Sequence, residues 1–337
     1  MSKMFELGIS KKQSNVIKGT FAICVLIHHL YQYTTSFPTN IIGVALENLG
    51  YLSVSVFLFL SGYGLMVSRR DNSAQYMKKF VRNRILPFYC QIVIMIILYR
   101  LLFLLISQPI ELKKVLTSFV FGEGIIISGW YLYCALYLYI LFFVTFRFFK
   151  RPLSQVLCFS AGVVIYYVIC WAAELSNVWY RCVFAFVFGI IYAVISSRVK
   201  VISVWKAVLA AVIFGIGFSV SILVMSIVEP NSLGMVLARM ISAVMFPLLV
   251  VFLKPIITVV LKPLGWFQRI SFEMYVSQGI FLVAVKKLFP LLLKILSSGW
   301  QIVVAYIVLV FIATVAFSVL LNKLFLLITR LIKKKEC

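Results

Sequence analysis

Residues 18–29 read KGTFAICVLIHH, an apolar helical run that begins with a cation and ends with both histidines of the protein. Lys18 and His29 are eleven residues apart, so they fall within roughly 20° of the same helix face and about 16 Å apart along the axis. His28 is turned by about 100° from His29, so the two rings need different partners. Titratable side chains inside an apolar helix must be satisfied by neighbours, by water or by a function. One face of this helix therefore offers a cation at its start and an imidazole near mid-membrane depth.

The composition places this run in a membrane protein. The 337-residue chain is 64% hydrophobic and only 12% charged, values that a soluble domain with a solvated surface does not reach. The seven cysteines are odd in number, scattered and without a CxxC pair, so we expect neither a disulfide framework nor a metal site. The first apolar run continues into the two histidines without a small-residue cleavage site, which predicts a retained helix rather than a signal peptide.

Ten apolar runs are long enough to cross a bilayer as helices. We therefore predict an all-α, polytopic membrane bundle of about ten transmembrane helices. A shorter apolar piece at 255–261 suits an interfacial position. The predicted spans are 16–36, 47–68, 85–107, 126–147, 154–173, 178–196, 203–228, 235–253, 271–290 and 300–329.

The charge distribution predicts the orientation. The net charge of +23 comes from basic residues that lie between apolar spans rather than on one soluble face, so we expect no nucleic-acid partner. With both termini in the cytoplasm, 24 of the 32 basic residues lie on the inner side and seven on the outer side, as the positive-inside rule predicts. The cationic inner face suits anionic lipid headgroups and equally an anionic cytosolic substrate. We expect a multi-pass protein of the cytoplasmic membrane.

The last part of the second predicted helix contains Ser61-Gly62-Tyr63-Gly64, and a basic loop follows the helix at 69–84. Small residues allow helices to approach closely, so this end serves packing as readily as a site. In the loop, Arg82 and Arg84 stand where planar, multi-donor cations hold a phosphate-bearing ligand. The same arginines also suit simple anchoring of a span at the inner face, so both interpretations stay open.

Two later stretches combine aromatic and polar side chains. Trp130 lies at the start of the fourth helix, at the outer face, where aromatic residues commonly form an interfacial belt. The ninth helix opens at Ser271. Glu273 stands where it could pair with a cation of the inner loops, whereas Tyr275 and Gln278 lie on neighbouring faces that point into the bundle. A structural network and a site are both compatible with this stretch.

Taken in order, these stretches resemble the integral-membrane acyltransferase-3 family. The resemblance implies a single domain, 1–337, with motif-bearing helices at about 16–147 and 271–290 and without an appended soluble domain. It also implies an enzyme that moves an acyl group, commonly acetyl, from cytosolic acyl-coenzyme A to a carbohydrate at the bacterial cytoplasmic membrane. The features that carry the resemblance are the Lys18–His29 pair, FLFLSGY at 57–63, the basic loop leading to Arg84-Ile-Leu-Pro87, the Trp130 segment and the segment 271–275.

The resemblance also assigns roles to residues. His29 matches the first-helix histidine and is expected to be catalytic, while Lys18 matches its paired cation. Together with Arg82 and Arg84, Lys18 is expected to bind the donor. The family places a further arginine three residues before Arg84, where this chain has Val81. Supporting roles are expected for His28, Ser61, Tyr63, Trp130, Ser271, Glu273, Tyr275 and Gln278, the last standing where members often have a histidine.

The chemistry fits these residues. Acyl transfer to a sugar hydroxyl needs a base, or a nucleophile that carries the acyl group, and a buried imidazole serves as either if burial keeps it neutral. If Lys18 binds a donor phosphate, the thioester arm runs along the helix toward His29, which is why we prefer His29 over His28 as the catalyst. His28 as catalyst stays open as an alternative. No bound cofactor or metal is expected, and the partners are membrane lipid, a carbohydrate acceptor and acyl-coenzyme A as co-substrate.

Two other functions compete with the enzyme. A transporter or flippase for a lipid-linked sugar or a small polar solute would also use ten helices and a polar first helix, although the spans show no clear inverted halves. A membrane partner protein without activity is the third possibility.

Overall fold

A computed structural model describes residues 4–34, 41–107, 110–121, 124–229, 232–287 and 299–334. Within these ranges the chain forms twelve α-helices and a two-stranded sheet. The elements are β1 (Met4–Glu6), α1 (Lys11–Thr34), α2 (Ile41–Lys78), α3 (Leu86–Leu105), α4 (Leu112–Phe121), α5 (Trp130–Phe148), α6 (Pro152–Ala172), α7 (Val183–Arg198), β2 (Val201–Ser203), α8 (Val204–Ile227), α9 (Leu233–Phe252), α10 (Lys254–Val260), α11 (Ser271–Lys287) and α12 (Gly299–Lys334). A π-helical turn, Val81–Ile85, precedes α3, and 3-10 helices occupy Asn177–Trp179 and Lys262–Ile270.

Every one of the ten predicted spans contains a long helix, namely α1, α2, α3, α5 to α9, α11 or α12. Eight segments of the described chain are long and apolar enough to cross a membrane, and they include all of these helices except α1 and α11. Helix α1 begins with the polar sequence KKQSN, and α11 has only 17 residues. The fold is therefore an all-α, polytopic bundle, as predicted, while the number of spans and the location of the termini stay predictions.

Helix α8 exposes much of its apolar side-chain surface. Its large aliphatic side chains are mostly exposed, as expected for a helix whose surroundings are lipid rather than water. These exposed residues are Val208, Leu209, Val212, Ile213, Ile216, Val220 and Leu223.

The chain divides into two compact units. The first contains the described parts of Met1–Phe21, Tyr51–Phe80 and Tyr137–Trp266, and the second contains those of Ala22–Gly50, Val81–Leu136 and Phe267–Cys337. Helices α1, α2 and α5 contribute residues to both units. The division does not test the prediction of a single domain.

In the first unit, α2 and α7 pack backbone against backbone. A side chain at Gly62 would collide with the carbonyl oxygen of Phe186, and a side chain at Gly189 would collide with that of Phe59. Gly62, which lies within α2 rather than at its end, thus has a packing role. Ser61, beside it, is half-buried.

A short N-terminal strand, which the sequence did not predict, completes this unit. Strand β1 pairs with β2 in antiparallel register, with Phe5 opposite Ile202. The Tyr192 hydroxyl donates to the Leu7 carbonyl at 2.7 Å, and the Ile9 amide donates to the Tyr63 hydroxyl at 2.9 Å. Tyr63 therefore anchors the N-terminal segment.

Lys254, at the first position of α10, binds the same N-terminal segment through its side-chain amine. Its Nζ donates to the carbonyls of Glu6, at 2.7 Å, and Leu7, at 2.9 Å, and lies 4.6 Å from the centre of the Phe5 ring. Burial lowers the pKa of this amine to about 8, and the Glu6 carboxylate only partly opposes that shift.

The predicted basic loop is helical instead. Helix α2 continues to Lys78, and the π-helical turn leads directly into α3, so the prediction of a loop there is wrong. The Arg82 guanidinium donates to the carbonyl of Ile332 at 2.8 Å and also to that of Lys333. These carbonyls end α12 and have no partner within their own helix, and an arginine satisfies them.

In the second unit, α11 forms the buried centre. The Tyr99 hydroxyl of α3 donates to the Val276 carbonyl at 3.1 Å, and the hydroxyls of Ser277 and Ser318 are 3.2 Å apart. The Tyr306 hydroxyl of α12 donates to the Leu282 carbonyl at 3.0 Å. These bonds fix α11 against α3 and α12.

Candidate active site

His29 lies near the C-terminal end of α1 and is only 9% exposed. Its Nδ1 is 3.1 Å from Oε1 of Gln32, and its Nε2 is 3.3 Å from Oγ of Ser128. Because an amide oxygen only accepts hydrogen bonds, the proton of a neutral ring resides on Nδ1, and Nε2 accepts from the Ser128 hydroxyl. The imidazole thus accepts from a hydroxyl at one nitrogen and is oriented by an amide at the other.

The turn that presents Ser128 is tightly built. Ser128 is half-buried and has φ of 58°, a left-handed conformation that is uncommon for residues other than glycine. The Gly129 amide donates to the Ile126 carbonyl at 2.9 Å. A Cβ at Gly129 would lie 2.9 Å from that same oxygen, so the turn needs a glycine there. Helix α5 begins immediately afterwards, at Trp130.

One face of α11 supports this turn. The Tyr275 hydroxyl donates to the Ser128 carbonyl at 2.8 Å. Gly279 is one helical turn further along the same face, and a Cβ there would lie 2.6 Å from Cβ of Ile127 and would collide with the Tyr99 hydroxyl. The absence of a side chain at Gly279 thus lets the turn approach α11, while Tyr275 fixes its backbone.

His28 has a different environment. Its Nδ1 donates to the Leu46 carbonyl of α2 at 2.8 Å. A side chain at Gly50 would collide with the His28 ring at both Cδ2 and Nε2, so Nε2 is packed closely against the α2 backbone. The His28 and His29 rings are 4.9 Å apart. This packing favours a structural role for His28, because its second nitrogen has little room for a substrate.

Tyr275 contacts the aromatic start of α5. Its ring makes an edge contact with Tyr131, with centroids 4.9 Å apart, and Tyr131 in turn contacts Trp130 at 6.3 Å. The Gln278 side chain is buried and donates to the Tyr275 carbonyl at 3.1 Å. The structure therefore brings His29, His28, Trp130, Tyr275 and Gln278 into one region of the second unit.

The polar side chains in the first turn of α11 make structural hydrogen bonds. The Ser271 hydroxyl donates to the Gln268 carbonyl at 3.2 Å. The buried Glu273 carboxylate accepts from the Asn322 amide at 2.8 Å, and it forms no ion pair with any residue of the described ranges. The possible pairing of Glu273 with an inner cation is therefore not found in the described ranges, since the Asn322 amide on α12 takes that place.

The predicted donor-binding cations occupy distinct positions. Lys18 is half-buried on α1, which runs without a break to His29. Arg84 is exposed in the π-helical turn, whereas Arg82 is engaged by the end of α12. Lys18, Ser61 and Tyr63 belong to the first unit, and the arginines belong to the second. Nothing in the described ranges groups three or more His, Cys, Asp or Glu side chains as ligands for a metal ion.

Sequence reasoning missed Ser128 and Gln32. The dipeptide Ser128-Gly129 before an aromatic helix start is a recognisable turn signal, but neither its left-handed backbone nor its distance from α1 can be read from local sequence. Gln32 follows His29 by three residues, a spacing that places two side chains on one helix face. That spacing was the available signal for an orienting partner.

Comparison with known proteins gives one match. A sequence model for a family described as an acyltransferase domain matches residues 12–323, which is most of the chain. No curated protein and no solved structure matches this chain significantly.

Proposed function

This chain belongs to the acyltransferase-3 family of membrane enzymes and is an acyltransferase, and from that premise we propose that it transfers an acetyl or similar acyl group from acyl-coenzyme A to a glycan hydroxyl. The donor is cytosolic, and the acceptor is a cell-surface or exported glycan. The protein is a multi-pass membrane protein, and the cationic inner face supports placing it in the cytoplasmic membrane.

The observation that carries this proposal is the hydrogen bond between His29 Nε2 and a hydroxyl. Transfer to a sugar requires that a hydroxyl lose its proton as its oxygen attacks the thioester carbonyl. His29 already holds the Ser128 hydroxyl at 3.3 Å, in the tautomer in which Nε2 accepts. Gln32 keeps that tautomer because its oxygen binds the proton on Nδ1. His29 is thus oriented for the proton transfer that the reaction needs.

His29 rather than His28 is the proposed base. The Nε2 atom of His28 is packed against Gly50, whereas that of His29 faces a half-buried serine at a turn. A substrate hydroxyl can take the place of a serine side chain at a turn more readily than it can displace a helix backbone.

Donor binding is proposed for Lys18 and Arg84. A phosphate held by Lys18 leaves the thioester arm to run along α1, over about 16 Å, toward His29. Arg84 is exposed and available to a phosphate. Arg82 already uses two donors on the last turn of α12, so its contribution to the donor site is the weakest of the three cations.

Membranes carrying the protein, incubated with radiolabelled acetyl-coenzyme A, test the function. We expect label to move to the glycan fraction, and we expect His29→Ala to lower that transfer by at least about a hundredfold, the usual contribution of a general base. His28→Ala is the matched control and should retain more than about a tenth of the activity. Full activity in the His29 variant would refute the assignment of the base, and movement of glycan without any donor would favour a flippase instead.

A further inference from the structure

We propose that Ser128 is the acyl carrier of this enzyme, so that the acyl group rests on its Oγ between the thioester and the glycan. The inference depends on the proposed use of acyl-coenzyme A. It adds a covalent step and a residue that neither the family resemblance nor the sequence motifs identify.

The first support is the order of the three groups. A nucleophile within hydrogen-bond reach of a base, with the base oriented by a third group, is the arrangement that activates serine in covalent catalysis. Ser128 Oγ is 3.3 Å from His29 Nε2, and His29 Nδ1 is 3.1 Å from Gln32 Oε1. The third group, the Gln32 amide, is neutral, so it orients the imidazole without adding charge to the site.

The second support is the backbone of the turn. The left-handed φ of 58° at Ser128 costs free energy that glycine would not cost. Such conformations persist where the surroundings over-determine them, and they concentrate at functional sites. Here the Tyr275 hydroxyl binds the carbonyl of Ser128 itself, and Gly129 closes the turn. The side chain of Ser128 is therefore presented to His29 by a fixed backbone.

The third support is access. Ser128 is half-buried rather than enclosed, and it lies just before the start of α5, at the predicted outer end of that span. A carrier at this position would receive the acyl group beside the first helix and expose it to an acceptor on the outer side. This location follows from the predicted orientation of the chain.

The two half-reactions balance. In the first, His29 Nε2 takes the proton of Ser128 Oγ, the oxygen attacks the thioester carbonyl, and the carbon–sulfur bond breaks. The proton then passes to the departing thiolate, which leaves as free coenzyme A, and Ser128 holds an ester. In the second, His29 takes the proton of the glycan hydroxyl, whose oxygen attacks that ester. The bond to Oγ breaks, and the proton returns to Oγ.

The competing mechanism is direct transfer, in which the glycan hydroxyl replaces Ser128 at His29 Nε2 and attacks the thioester without an intermediate. The two mechanisms differ in what happens when no acceptor is present. A carrier releases about one equivalent of coenzyme A per enzyme and becomes acylated, as in the burst that accompanies an acyl-enzyme. Direct transfer releases none.

The experiment uses the full-length protein in detergent with radiolabelled acetyl-coenzyme A and no acceptor, followed by acid quenching and mass spectrometry of its peptides. We expect one acetyl group on the peptide containing Ser128. Ser128→Ala should lose this label and lower glycan transfer by at least about a hundredfold. Ser128→Cys should keep a label, now as a thioester that neutral hydroxylamine releases.

The matched control is Ser107→Ala. Ser107 also has a left-handed φ, of 57°, but it follows α3 and has no role in the site, so label and activity should be unchanged. Wild-type enzyme that transfers acetyl to glycan without ever labelling Ser128, or a Ser128→Ala variant with more than about a tenth of the activity, would overturn the carrier while leaving the acyltransferase proposal intact. Wild-type enzyme that uses no acyl-coenzyme A would overturn both. The label on wild-type protein decides the matter even if a variant does not fold.

Discussion

Removal of the Tyr275 hydroxyl should disturb the candidate site without unfolding it. In Tyr275→Phe the 2.8 Å hydrogen bond to the Ser128 carbonyl is lost. The ring remains, and with it the edge contact to Tyr131 at 4.9 Å. The substitution therefore isolates the bond that fixes the turn from the packing that surrounds it.

The size of the effect follows from the group left without a partner. A buried carbonyl left unsatisfied costs about 1–3 kcal/mol, and because Ser128 is half-buried, that range is an upper limit. If relaxation of the turn moves the Ser128 hydroxyl away from His29 and all of that cost appears in the transition state, the rate falls by roughly 5- to 160-fold. The free energy of unfolding should fall by the same 1–3 kcal/mol at most.

The assay is acetyl transfer from labelled acetyl-coenzyme A to the glycan fraction, with thermal unfolding measured in the same detergent. Tyr306→Phe is the control, because the Tyr306 hydroxyl also donates to a backbone carbonyl, that of Leu282, at 3.0 Å in the second unit. Both variants should lose similar stability, but only Tyr275→Phe should lose activity. Equal losses of activity would refute the idea that Tyr275 positions Ser128.

Three further predictions test the packing and the ionisation described above. Gly50→Ala should destabilise the protein by about 1–3 kcal/mol and lower acetyl transfer, because the new methyl group collides with the His28 ring; unchanged thermal unfolding would contradict this contact. Gly189→Ala places a methyl group against a backbone carbonyl that cannot rotate away, so it should lower the free energy of unfolding by at least about 3 kcal/mol. Gly64→Ala is the control, because no atom lies within 4 Å of the new methyl group, and it should be neutral or slightly stabilising in the same thermal unfolding measurement. Lys254 has a pKa of about 8 in the folded protein against an ordinary 10.5, so as the pH rises the folded protein loses this proton before the unfolded chain does. The unfolding free energy of the wild type relative to Lys254→Met should therefore rise by about 2 kcal/mol from about pH 7.5 to 9.5. A difference in unfolding free energy that does not change with pH would be evidence against the pKa shift.

The helical fold was predictable because a membrane imposes a strong rule. A segment in lipid must satisfy its own backbone, so a long apolar run becomes a helix almost regardless of its detailed sequence. Each of the ten predicted spans contains a helix, and eight segments of the described chain are long and apolar enough to cross a membrane. The rule is silent about segments near the interface, where short pairings can form, and strands β1 and β2 are such a pair. Three residues are too few to show the alternation that marks a strand.

The basic segment shows why local charge misled the prediction of a loop. Arg82 and Arg84 read as surface loop residues because they follow a polar stretch. In the fold, Arg82 satisfies the last carbonyls of α12, some 250 residues away in sequence. A partner that distant leaves no periodic signal, so its effect on local structure appears only once the helices are packed.

The prediction of His29 over His28 came from helix spacing, and the fold supplies an independent argument for it. The spacing placed His29 on the face of Lys18, but it said nothing about what surrounds each ring. In the structure the Nε2 atom of His28 is packed against Gly50, and that of His29 meets Ser128. The choice between the rings remains a prediction, and the surroundings favour the same ring as the spacing does.

Most buried polar side chains of the second unit have hydrogen-bond partners. These bonds lower the free-energy cost of burial and do not by themselves indicate a catalytic role. Glu273 binds Asn322, Ser277 binds Ser318, and Gln278 binds a carbonyl of its own helix. Each of these bonds is made by side chains that extend from regular helices, where no backbone strain is needed.

The His29–Ser128 bond differs from these, because its serine stands on a left-handed backbone. Glycine would adopt that backbone more easily, and solvation of the imidazole would not require a hydroxyl from a strained turn. A glycine at this position would therefore stabilise the turn and remove only the hydroxyl. If Ser128→Gly is at least as stable as the wild type but transfers no acetyl group, the hydroxyl serves the reaction and not the fold, and an active Ser128→Gly enzyme would refute that conclusion.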